Sequence, residues 1–539
     1  MMKRVFSTII VASFAIVSFA GGLLTNTNQS ASFVRNPARY ASLETDAIYF
    51  NPAGTAFFKE GWAFSANWQM IWQQRDVENA GTRYDGKVYV PCMPTFFAAY
   101  KTGDWTFSGF FGMPGGGGNA KFDGGLPMFN TMGNTFGQLA PFFTGTQPTG
   151  AAYSQFESTQ YLFSLQLGAA YKINDNMSVY AGLRTNYTSL SYEGGIFLPA
   201  GASTVNPLSL DLKQTGIAFA PVIGFDYKIG RLNIGVKYEF RAVNIIENET
   251  NNLGIYGNNA NNDKNFENTT KIIDANAPMV VAAMAKPTVV AKVQEGVQAN
   301  VTNQFVQAVM ASQPGMTQDM AAAYVAANMQ DQVAQKTAEY MASPDGETLV
   351  KSSIEGYVAS PDGQATVAGA SAAAKTGITS SPLASLQDGE RFRNDAPAKL
   401  SIGASYDITD RIKVMGAYTY YFDKDAKIES LLGKANTMKT LSRNTYEMLA
   451  GVEVKVTDKL LLSTGLQFSD FGVNPSYLSD ISFIDDSFMV GAGGKYSFNE
   501  NWDLNFGFCY ANYAHGAGST GSKYLRKTYN ASVGVDFRF

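Results

Sequence analysis

The chain has 539 residues, of which 13% are aromatic and 16% charged, and it contains 52 glycines with a mean hydropathy of -0.11. Many aromatic residues and glycines with few charges are typical of proteins built from strands and turns rather than of helical enzymes. A formal net charge of -4 argues against nucleic acid as a partner, and two cysteines, Cys92 and Cys509, are too few for a disulfide framework or a metal cluster.

The N-terminus has the features of a cleaved export signal. Met1 to Arg4 is basic, residues 5–19 are apolar or small, and Ser18-Phe19-Ala20 places small residues at the two positions that a signal peptidase recognises. A membrane anchor is the alternative, but the apolar run is short for a spanning helix, which needs about 20 residues. We therefore predict a signal peptide over residues 1–20 and a mature chain that starts near Gly21.

Residues 21–60 show no strand alternation and contain one conspicuous motif. It runs Asp46-Ala47-Ile48-Tyr49-Phe50-Asn51-Pro52-Ala53-Gly54. Taken alone, Asn-Pro-Ala-Gly indicates only a turn, because proline presets φ and glycine tolerates positive φ. Its position between the export signal and the first strand indicates a separate segment outside the strand pattern.

From Gly61 onward, strand patterns of period two recur along the chain. In the first, Trp62, Phe64, Ala66, Trp68, Met70 and Trp72 alternate with mostly polar residues. The same alternation returns in residues 400–406, 412–422, 462–468 and 504–510. These segments are long enough for tilted membrane strands of about 9–11 residues.

The connections between these strands alternate between short and long. Tight turns are predicted at residues 102–104, 174–176, 229–231, 409–411, 457–459 and 499–501. Short turns on one side and long loops on the other are typical of a bacterial outer-membrane barrel. For residues 61–539 this pattern predicts an all-β fold, a transmembrane antiparallel β-barrel of about fourteen strands. The last strand, residues 524–539, ends on Phe539. A soluble β-sandwich is the alternative, but it does not account for the terminal phenylalanine, the loop asymmetry and the export signal together.

Three predicted outer loops stand out. The first begins at residues 113–118 and the second covers residues 194–210. Exposed apolar residues in such loops mark binding surfaces, and those that we predict to capture a hydrophobic ligand are Phe122, Phe129, Phe136, Phe142, Phe143 and Phe197. The third loop, residues 249–395, is predicted to be a partly helical insertion, with Thr317 as a helix N-cap and the repeated Ser-Pro-Asp-Gly as a turn between short helices.

The motif of residues 46–54, placed before the first barrel strand, resembles the hatch of the FadL family of outer-membrane transport proteins. The resemblance implies a fourteen-stranded barrel in the outer membrane of a Gram-negative bacterium, with residues 21–60 as a hatch that plugs the lumen from the periplasmic side. The matching positions are Asp46, Ala47, Asn51, Pro52, Ala53 and Gly54. It also implies passive uptake of hydrophobic molecules, above all long-chain fatty acids, with no cofactor. Phe539 resembles the terminal signal by which the barrel-assembly machinery inserts such chains into outer-membrane lipid.

A fatty acid carries a carboxylate, which needs a cation inside the lumen. Strand alternation places Arg184, Lys237 and Arg241 opposite the apolar faces of their strands, so these three are the candidate carboxylate ligands. A ladder of charges that stabilises the barrel interior is the alternative for each of them.

Three other functional classes are alternatives to transport: an enzyme, a general diffusion porin, and a surface adhesin or receptor. An enzyme has little support, because the one histidine, His515, cannot supply a convincing triad and no metal-ligand spacing is present. A general diffusion porin predicts a polar lumen, which the hatch motif and the apolar loops argue against. A surface adhesin or receptor that uses the barrel as an anchor is suggested by the insertion at residues 249–395.

Overall fold

The computed structural model describes residues 29–263, 266–379, 382–481 and 483–539. The predicted signal peptide, residues 1–20, and the first part of the predicted hatch, residues 21–28, lie outside the described residues. The described chain forms two compact units. A barrel unit contains residues 29–137, 148–263, 382–481 and 483–539, and a helical unit contains residues 138–147 and 266–379.

The chain enters the barrel unit through a segment of short helices, which we call the hatch (residues 29–60). Helix α1, Ala31–Arg35, begins after Ser30, whose hydroxyl oxygen accepts a hydrogen bond from the Phe33 N–H at 2.9 Å. Helix α2, Ala47–Phe50, is followed by a 3-10 helix, Pro52–Phe57, that starts on proline. Almost every residue from 29 to 56 is buried, although many are polar or charged.

Fourteen antiparallel strands form a closed barrel, which confirms the predicted fold class. Each strand pairs with the next along the chain, and the last pairs with the first. Two further short strands, β2 and β10, extend outer connections. The strands are β1 Gly61–Asn79, β2 Thr82–Tyr84, β3 Lys87–Thr102, β4 Trp105–Phe122, β5 Tyr153–Lys172, β6 Met177–Ala200, β7 Ser203–Ile229, β8 Leu232–Glu239, β9 Ile245–Ile255, β10 Asn258–Asn259, β11 Arg391–Arg393, β12 Lys399–Asp407, β13 Ile412–Tyr421, β14 Tyr446–Lys455, β15 Leu460–Asp470, β16 Ser487–Ser497, β17 Trp502–Tyr513 and β18 Lys523–Arg538.

Two of the fourteen barrel strands are interrupted. The seventh consists of β8 and β9, which both pair with β7. β8 pairs with the C-terminal part of β7 near Ile229, and β9 pairs with its N-terminal part near Ser209. The eighth consists of β11 and β12 in the same way, since β11 pairs with β9 and β12 with β8. The helical insertion therefore leaves the barrel from the end of one interrupted strand and returns into another.

The two faces of the strands differ as the alternation predicts. Trp68 and Leu167 are 53% and 57% exposed, whereas their neighbours Gln69 and Gln166 are buried. An apolar outward face with polar residues inside is the arrangement that a lipid surrounding requires. All six predicted tight turns join adjacent strands. The barrel closes beside the terminal Phe539, whose carbonyl accepts from the Trp62 N–H at 2.7 Å.

Two stretches predicted as outer loops are strands instead. Residues 113–118 lie within β4, and residues 194–210 belong to β6 and β7 except for the tight turn at residues 201–202. Their glycines and prolines indicated loops, yet the paired strands continue to Ala200 and Ser203. The real connection between β4 and β5 carries helix α3, Pro127–Gly137.

The helical unit contains six helices among its described residues. They are α4 Ala140–Thr144, α5 Glu267–Ser312, α6 Gln318–Asn328, α7 Gln330–Met341, α8 Pro344–Ala359 and α9 Pro361–Thr379. Thr317 caps α6 as predicted, because its hydroxyl oxygen accepts from the Met320 N–H. The Ser-Pro-Asp-Gly repeats start α8 and α9, where Ser343 and Ser360 accept from the N–H groups of Gly346 and Gly363.

Within the predicted insertion of residues 249–395, only residues 267–379 form α-helices, since residues 249–255 complete β9 and residues 391–393 form β11. Valines of α5, α6 and α7, including Val309, Val325 and Val333, pack together as a separate apolar core. Of the helices in the described part of the chain, none is both long enough and apolar enough to cross a membrane.

Candidate functional site

The hatch is fixed inside the barrel by a buried ion network around Arg39. Its Nε lies 2.9 Å from Asp46 Oδ2 and its Nη2 lies 2.8 Å from Asp46 Oδ1, a two-point contact. Its Nη1 also donates to Glu453 of β14 at 3.1 Å, and Arg35 reaches the same carboxylate at 3.1 Å. Asp46, the first residue of the hatch motif, therefore orients the arginine that ties the hatch to the wall.

Glu44 extends this network to a third strand. It accepts from Arg39 and Arg35, and Lys495 of β16 donates to its other oxygen. Burial alone would raise the pKa of Glu44, but Lys495, Arg39 and Arg35 together hold that pKa well below its ordinary value. The pKa of Arg39 is raised despite its burial, because Asp46, Glu44 and Glu453 surround it. Both shifts favour the charged forms of Glu44 and Arg39.

The second half of the motif contacts the opposite side of the wall. The Asn51 amide donates to Asp226 of β7 at 2.5 Å and to the Ser42 carbonyl at 3.1 Å. The Ala53 carbonyl accepts from Ser178 of β6 at 2.7 Å. A side chain at Gly54 would collide with the Asn51 amide, so glycine is required there. The motif is thus both a folding element and a set of contacts with the wall.

Paired glycines in the wall make room for the hatch backbone. Gly235 of β8 and Gly403 of β12 lie opposite each other in register. A Cβ at Gly403 would lie 2.5 Å from the Tyr40 carbonyl carbon, and a Cβ at Gly235 would meet the Tyr40 carbonyl oxygen. The hatch therefore lies against the wall more closely than side chains would allow.

The candidate carboxylate ligands divide into two groups. Arg184 and Lys237 are buried beside Glu239, which Arg184 contacts directly and Lys237 approaches at 2.7 Å. Lys399 adds a third cation at 3.2 Å from the same carboxylate. Arg241 is exposed and donates to the Asp425 carbonyl instead, because it lies in the interruption between β8 and β9.

The Arg184 cluster is also engaged by the hatch. Lys237 donates to the Tyr49 carbonyl at 2.7 Å, and the Arg184 guanidinium lies 4.6 Å from the Tyr49 ring centre. Sequence patterns placed Arg184, Lys237 and Glu239 on the lumen side but did not identify Lys399 and Tyr49 as their partners. With the hatch in place, Arg184 and Lys237 are therefore already bound to Glu239 and to Tyr49 of the hatch.

The hydrogen-bond ladder between β3 and β4 is interrupted in the middle of the wall. The strands pair at Val88 with Ala120 and again at Phe96 with Phe111, and no pair joins them between those positions. Pro91 and Pro94 lack N–H groups there, and β4 bulges twice against β5 around its glycines. Gln29 at the start of the described hatch donates to the Met113 carbonyl at this place, at 3.0 Å.

An apolar cluster lies on the inner side of the interrupted ladder. We call it the lumen cluster, and it consists of Ile71, Val88, Val90, Met93 and Met113. Tyr161 and Phe163, which share their face of β5 with the exposed Leu165, pack against it from the outer side. It is separate from the larger apolar core in which the hatch packs against Phe97, Phe110 and Met489 of the wall.

A second apolar site, the outer pocket, is formed by the outer ends of β5, β6 and β7 together with outer connections of the barrel unit. Its cavity volume is about 30 Å³, roughly one water molecule, so its own side chains fill it. It must open to admit a larger ligand. Its apolar lining is Phe129, Met132, Phe156, Ile196, Leu208, Leu210, Leu383, Leu386, Leu431, Leu432 and Ile481.

Of the predicted capture residues, only Phe129 lines the outer pocket, where its ring lies 4.9 Å from that of Phe156. Phe122 and Phe136 are buried in the barrel unit, and Phe197 stacks on Tyr153 at 5.2 Å. Phe142 is buried and Phe143 half-buried in α4 of the helical unit. Leu383, Leu386, Leu431 and Leu432 of the outer pocket were missed because they come from two connections that are far from Phe129 in the sequence.

The described ranges contain no group of three or more histidine, cysteine, aspartate or glutamate side chains that could hold a metal ion. His515 is exposed in a loop, Cys509 is buried and Cys92 is exposed.

Comparisons with known proteins agree with this architecture. Residues 358–539 match the model of the outer membrane protein beta-barrel domain family. No curated protein sequence matches the chain.

Several solved structures resemble the chain over almost its whole length. A Pseudomonas aeruginosa FadL homologue has a TM-score of 0.53 at 14% identity, covering 96% of this chain and 100% of that one. A TodX deltaS2S3 mutant, described as a monoaromatic hydrocarbon channel, has a TM-score of 0.52 at 11% identity and covers 95% of this chain and 99% of that one. The P. putida toluene transporter TodX has a TM-score of 0.49 at 12% identity, covering 92% and 94%. At such identities the likeness is one of fold, and it confirms the resemblance in fold that the hatch motif indicated.

Proposed function

We propose that this chain, an outer-membrane β-barrel protein with the FadL fold, takes up hydrophobic molecules across the outer membrane of a Gram-negative bacterium by passive diffusion. Long-chain fatty acids are the proposed substrates. The proposal rests on the fold, on the hatch and on two apolar sites in the barrel unit. The matched structures include a monoaromatic hydrocarbon channel, whose cargo shares an apolar body with a fatty acid.

The observation that carries the proposal is an apolar surface inside a lumen that the hatch occupies. The lumen cluster around Ile71 and Met113 is buried, while the hatch residues in the barrel are buried as well. A water-filled pore for polar solutes requires an open polar channel. An apolar surface above a plug instead favours the binding of a hydrophobic ligand, which gains free energy when its surface is removed from water.

Capture is proposed to begin at the outer pocket. A ligand that buries roughly 300 Å² of apolar surface gains about 7 kcal/mol at about 25 cal/mol per Å², which corresponds to a dissociation constant near micromolar. Phe129 and Phe156 would separate to admit it, and the lumen cluster would receive it next. The helical unit, with Phe142 and Phe143, is proposed as an additional capture surface.

Release is proposed to require movement of the hatch near Asn51 to Gly54. Its contacts with Asp226 and Ser178 can break without disturbing the strand ladder, since they involve side chains. The interrupted ladder between β3 and β4 offers a second route through the wall, where Gln29 contacts Met113. Assembly by the barrel-assembly machinery through Phe539 completes the proposal, with outer-membrane lipid around the exposed aromatic face.

Uptake by intact cells tests the proposed function. Cells with and without this gene are given labelled oleate, labelled toluene or a labelled small sugar. We expect gene-dependent uptake of a hydrophobic compound and no change for the sugar. Gene-dependent sugar uptake would instead establish a general diffusion porin, and no change for any compound would contradict transport and favour the adhesin.

A further inference from the structure

Two arginines face each other inside the barrel near its outer end. Arg75 of β1 and Arg526 of β18 are directly opposite in the antiparallel register. Opposite residues of an antiparallel pair lie on the same face of the sheet with Cα atoms about 4.5–5.5 Å apart. Arg75 shares its strand face with the buried Gln73 and Ile71, so both guanidinium groups are on the inner face.

Neither arginine has a carboxylate partner among the described residues. The carboxylate nearest in sequence, Asp76, is bound by Arg83. Arg75 makes one long hydrogen bond, from Nη2 to the Phe483 carbonyl at 3.5 Å, and its Nε is buried without an acceptor. The Arg526 Nε is also buried without an acceptor. Two like charges are therefore adjacent, half-buried and uncompensated, an arrangement that costs free energy without a bound anion.

Aromatic rings hold the two guanidinium groups in place. The Arg75 guanidinium lies 4.7 Å from the centre of the Phe483 ring, and that of Arg526 lies 4.4 Å from the Tyr513 ring centre. Such contacts attract a cation weakly and leave its N–H groups free at the edge. The pair is thus positioned but still able to donate.

The next cross-strand pair continues the polar surface. Gln73 and Thr528 are opposite each other, and Gln73 Oε1 and the Thr528 hydroxyl are buried without a hydrogen-bond partner. The threonine hydroxyl adds a further donor. Two residues further along the same face of β1 lies Ile71, a member of the lumen cluster. The spacing from Arg75 to Ile71 is about 13 Å for a strand rise of about 3.3 Å per residue.

We propose that Arg75 and Arg526 bind the carboxylate of a hydrophobic acid, whose apolar part lies on the lumen cluster. This rests on the proposed function and assigns the two side chains that would bind the acidic end of its proposed substrates. The planar guanidinium fork matches a carboxylate in two-point geometry. The distance between the arginines and the cluster suits an amphipathic molecule with one charged end.

Matched ligands and matched variants test the assignment. Binding of oleate and of oleyl alcohol, which has the same chain and a neutral head, is measured on the purified full-length protein and on Arg75→Gln, Arg526→Gln and Arg75→Lys. Arg231→Gln serves as the control, because Arg231 is half-exposed in a tight turn and pairs with Asp410. Thermal unfolding is recorded for each protein.

We expect each glutamine variant to weaken oleate binding about tenfold or more, as the loss of a charged hydrogen bond implies, and to leave oleyl alcohol binding unchanged. Arg75→Lys should retain part of the oleate affinity. The glutamine variants should unfold at the same or a higher temperature, since a like-charge repulsion is removed. A structural role would instead lower the unfolding temperature and weaken both ligands alike.

The outcomes separate this inference from the proposed function. If the wild-type protein binds oleyl alcohol but not oleate, hydrophobic transport stands and the carboxylate site is wrong. Unchanged oleate binding in both glutamine variants would also overturn the site, as would a loss of folding in either. If the wild-type protein binds neither ligand, both proposals fail.

Discussion

Arg39 is the residue on which the position of the hatch depends most. It is almost fully buried and contacts three carboxylates, those of Asp46, Glu44 and Glu453. Removing one partner from a buried ion network leaves the others uncompensated, which costs about 3–5 kcal/mol.

We expect Arg39→Ala to release the hatch while the strand ladder persists. Limited proteolysis of the folded protein should then cleave within residues 29–60, which the wild-type protein protects. Arg391→Ala is the matched control, because Arg391 is exposed and pairs only with Glu247, where an ion pair contributes less than about 1 kcal/mol. A hatch that stays protected in Arg39→Ala would contradict the anchoring role.

Glu44 should make the hatch sensitive to acid. Its pKa in the folded protein lies below that in the unfolded chain, because Lys495, Arg39 and Arg35 outweigh the effect of burial. Its stabilising contribution is therefore complete above the unfolded value of about 4.3 and is lost as pH falls from there towards the folded value.

Thermal unfolding of the wild type and of Glu44→Gln as a function of pH measures this contribution. We expect the wild type to be the more stable at neutral pH and the difference to shrink steadily below pH of about 4. Glu78→Gln, at a half-exposed site on β1, should differ little from wild type throughout. A Glu44→Gln difference independent of pH would show that another group carries the effect.

At the scale of elements, the strands were the most predictable part of the chain. Alternation and turn residues located the tight turns because each is a local signal of two or three residues. The interruption of the seventh strand was not predictable, because residues 240–244 have no local pattern that separates them from strand. That of the eighth was missed because Asn394, Asp395 and Pro397 indicated the end of the predicted outer loop.

The candidate site was only partly predictable for a related reason. Arg184, Lys237 and Glu239 were placed on the lumen side because alternation gives the face of a residue. The contact of Arg184 with Glu239, two strands away, and the hatch contact at Tyr49 depend on the folded barrel. Arg75 and Arg526 belong to the first and last strands, and only closure brings them together. The strand face on which a residue lies can be derived from the sequence, whereas the distance between residues of different strands cannot.

The helical insertion can be removed to separate transport from adhesion. The chain leaves and re-enters the barrel unit at neighbouring points, since the Asp388 N–H donates to the Asn261 carbonyl at 2.9 Å. A short Gly-Ser linker in place of residues 266–379 should therefore leave barrel assembly intact. We expect such a variant to insert into the outer membrane and to retain part of its oleate uptake.

Heat-dependent migration in electrophoresis and cell uptake are the two measurements for this variant. An adhesin would lose all of its surface binding with the insertion and show no uptake before or after the deletion. Complete loss of uptake by a correctly inserted barrel would make the helical unit essential for transport rather than an additional capture surface.

At the scale of the whole molecule, the barrel combines a filled lumen with a plug that is proposed to move. The hatch contacts strands around the barrel, from Asp226 of β7 to Glu453 of β14 and Lys495 of β16. The lumen cluster and the outer pocket provide apolar surface for the ligand. Hydrophobic uptake then requires that the hatch yields when a ligand has entered.

A disulfide between the hatch and the wall tests this claim most directly. A Cβ added at Gly224 of β7 would lie 3.4 Å from the Ala53 Cβ, close to the 3.5–4.5 Å that a disulfide needs. Ala53→Cys with Gly224→Cys, in a Cys92→Ser background that removes the exposed native thiol, should form this bond. The single variants Ala53→Cys and Gly224→Cys are the controls.

The measurement is oleate uptake by cells that carry the double variant, before and after reduction of the disulfide. We predict that the oxidised protein is at least tenfold slower than either single variant and that reduction restores its rate. Unchanged uptake with the disulfide fully formed would contradict hatch-gated release and place the exit at the interrupted ladder between β3 and β4.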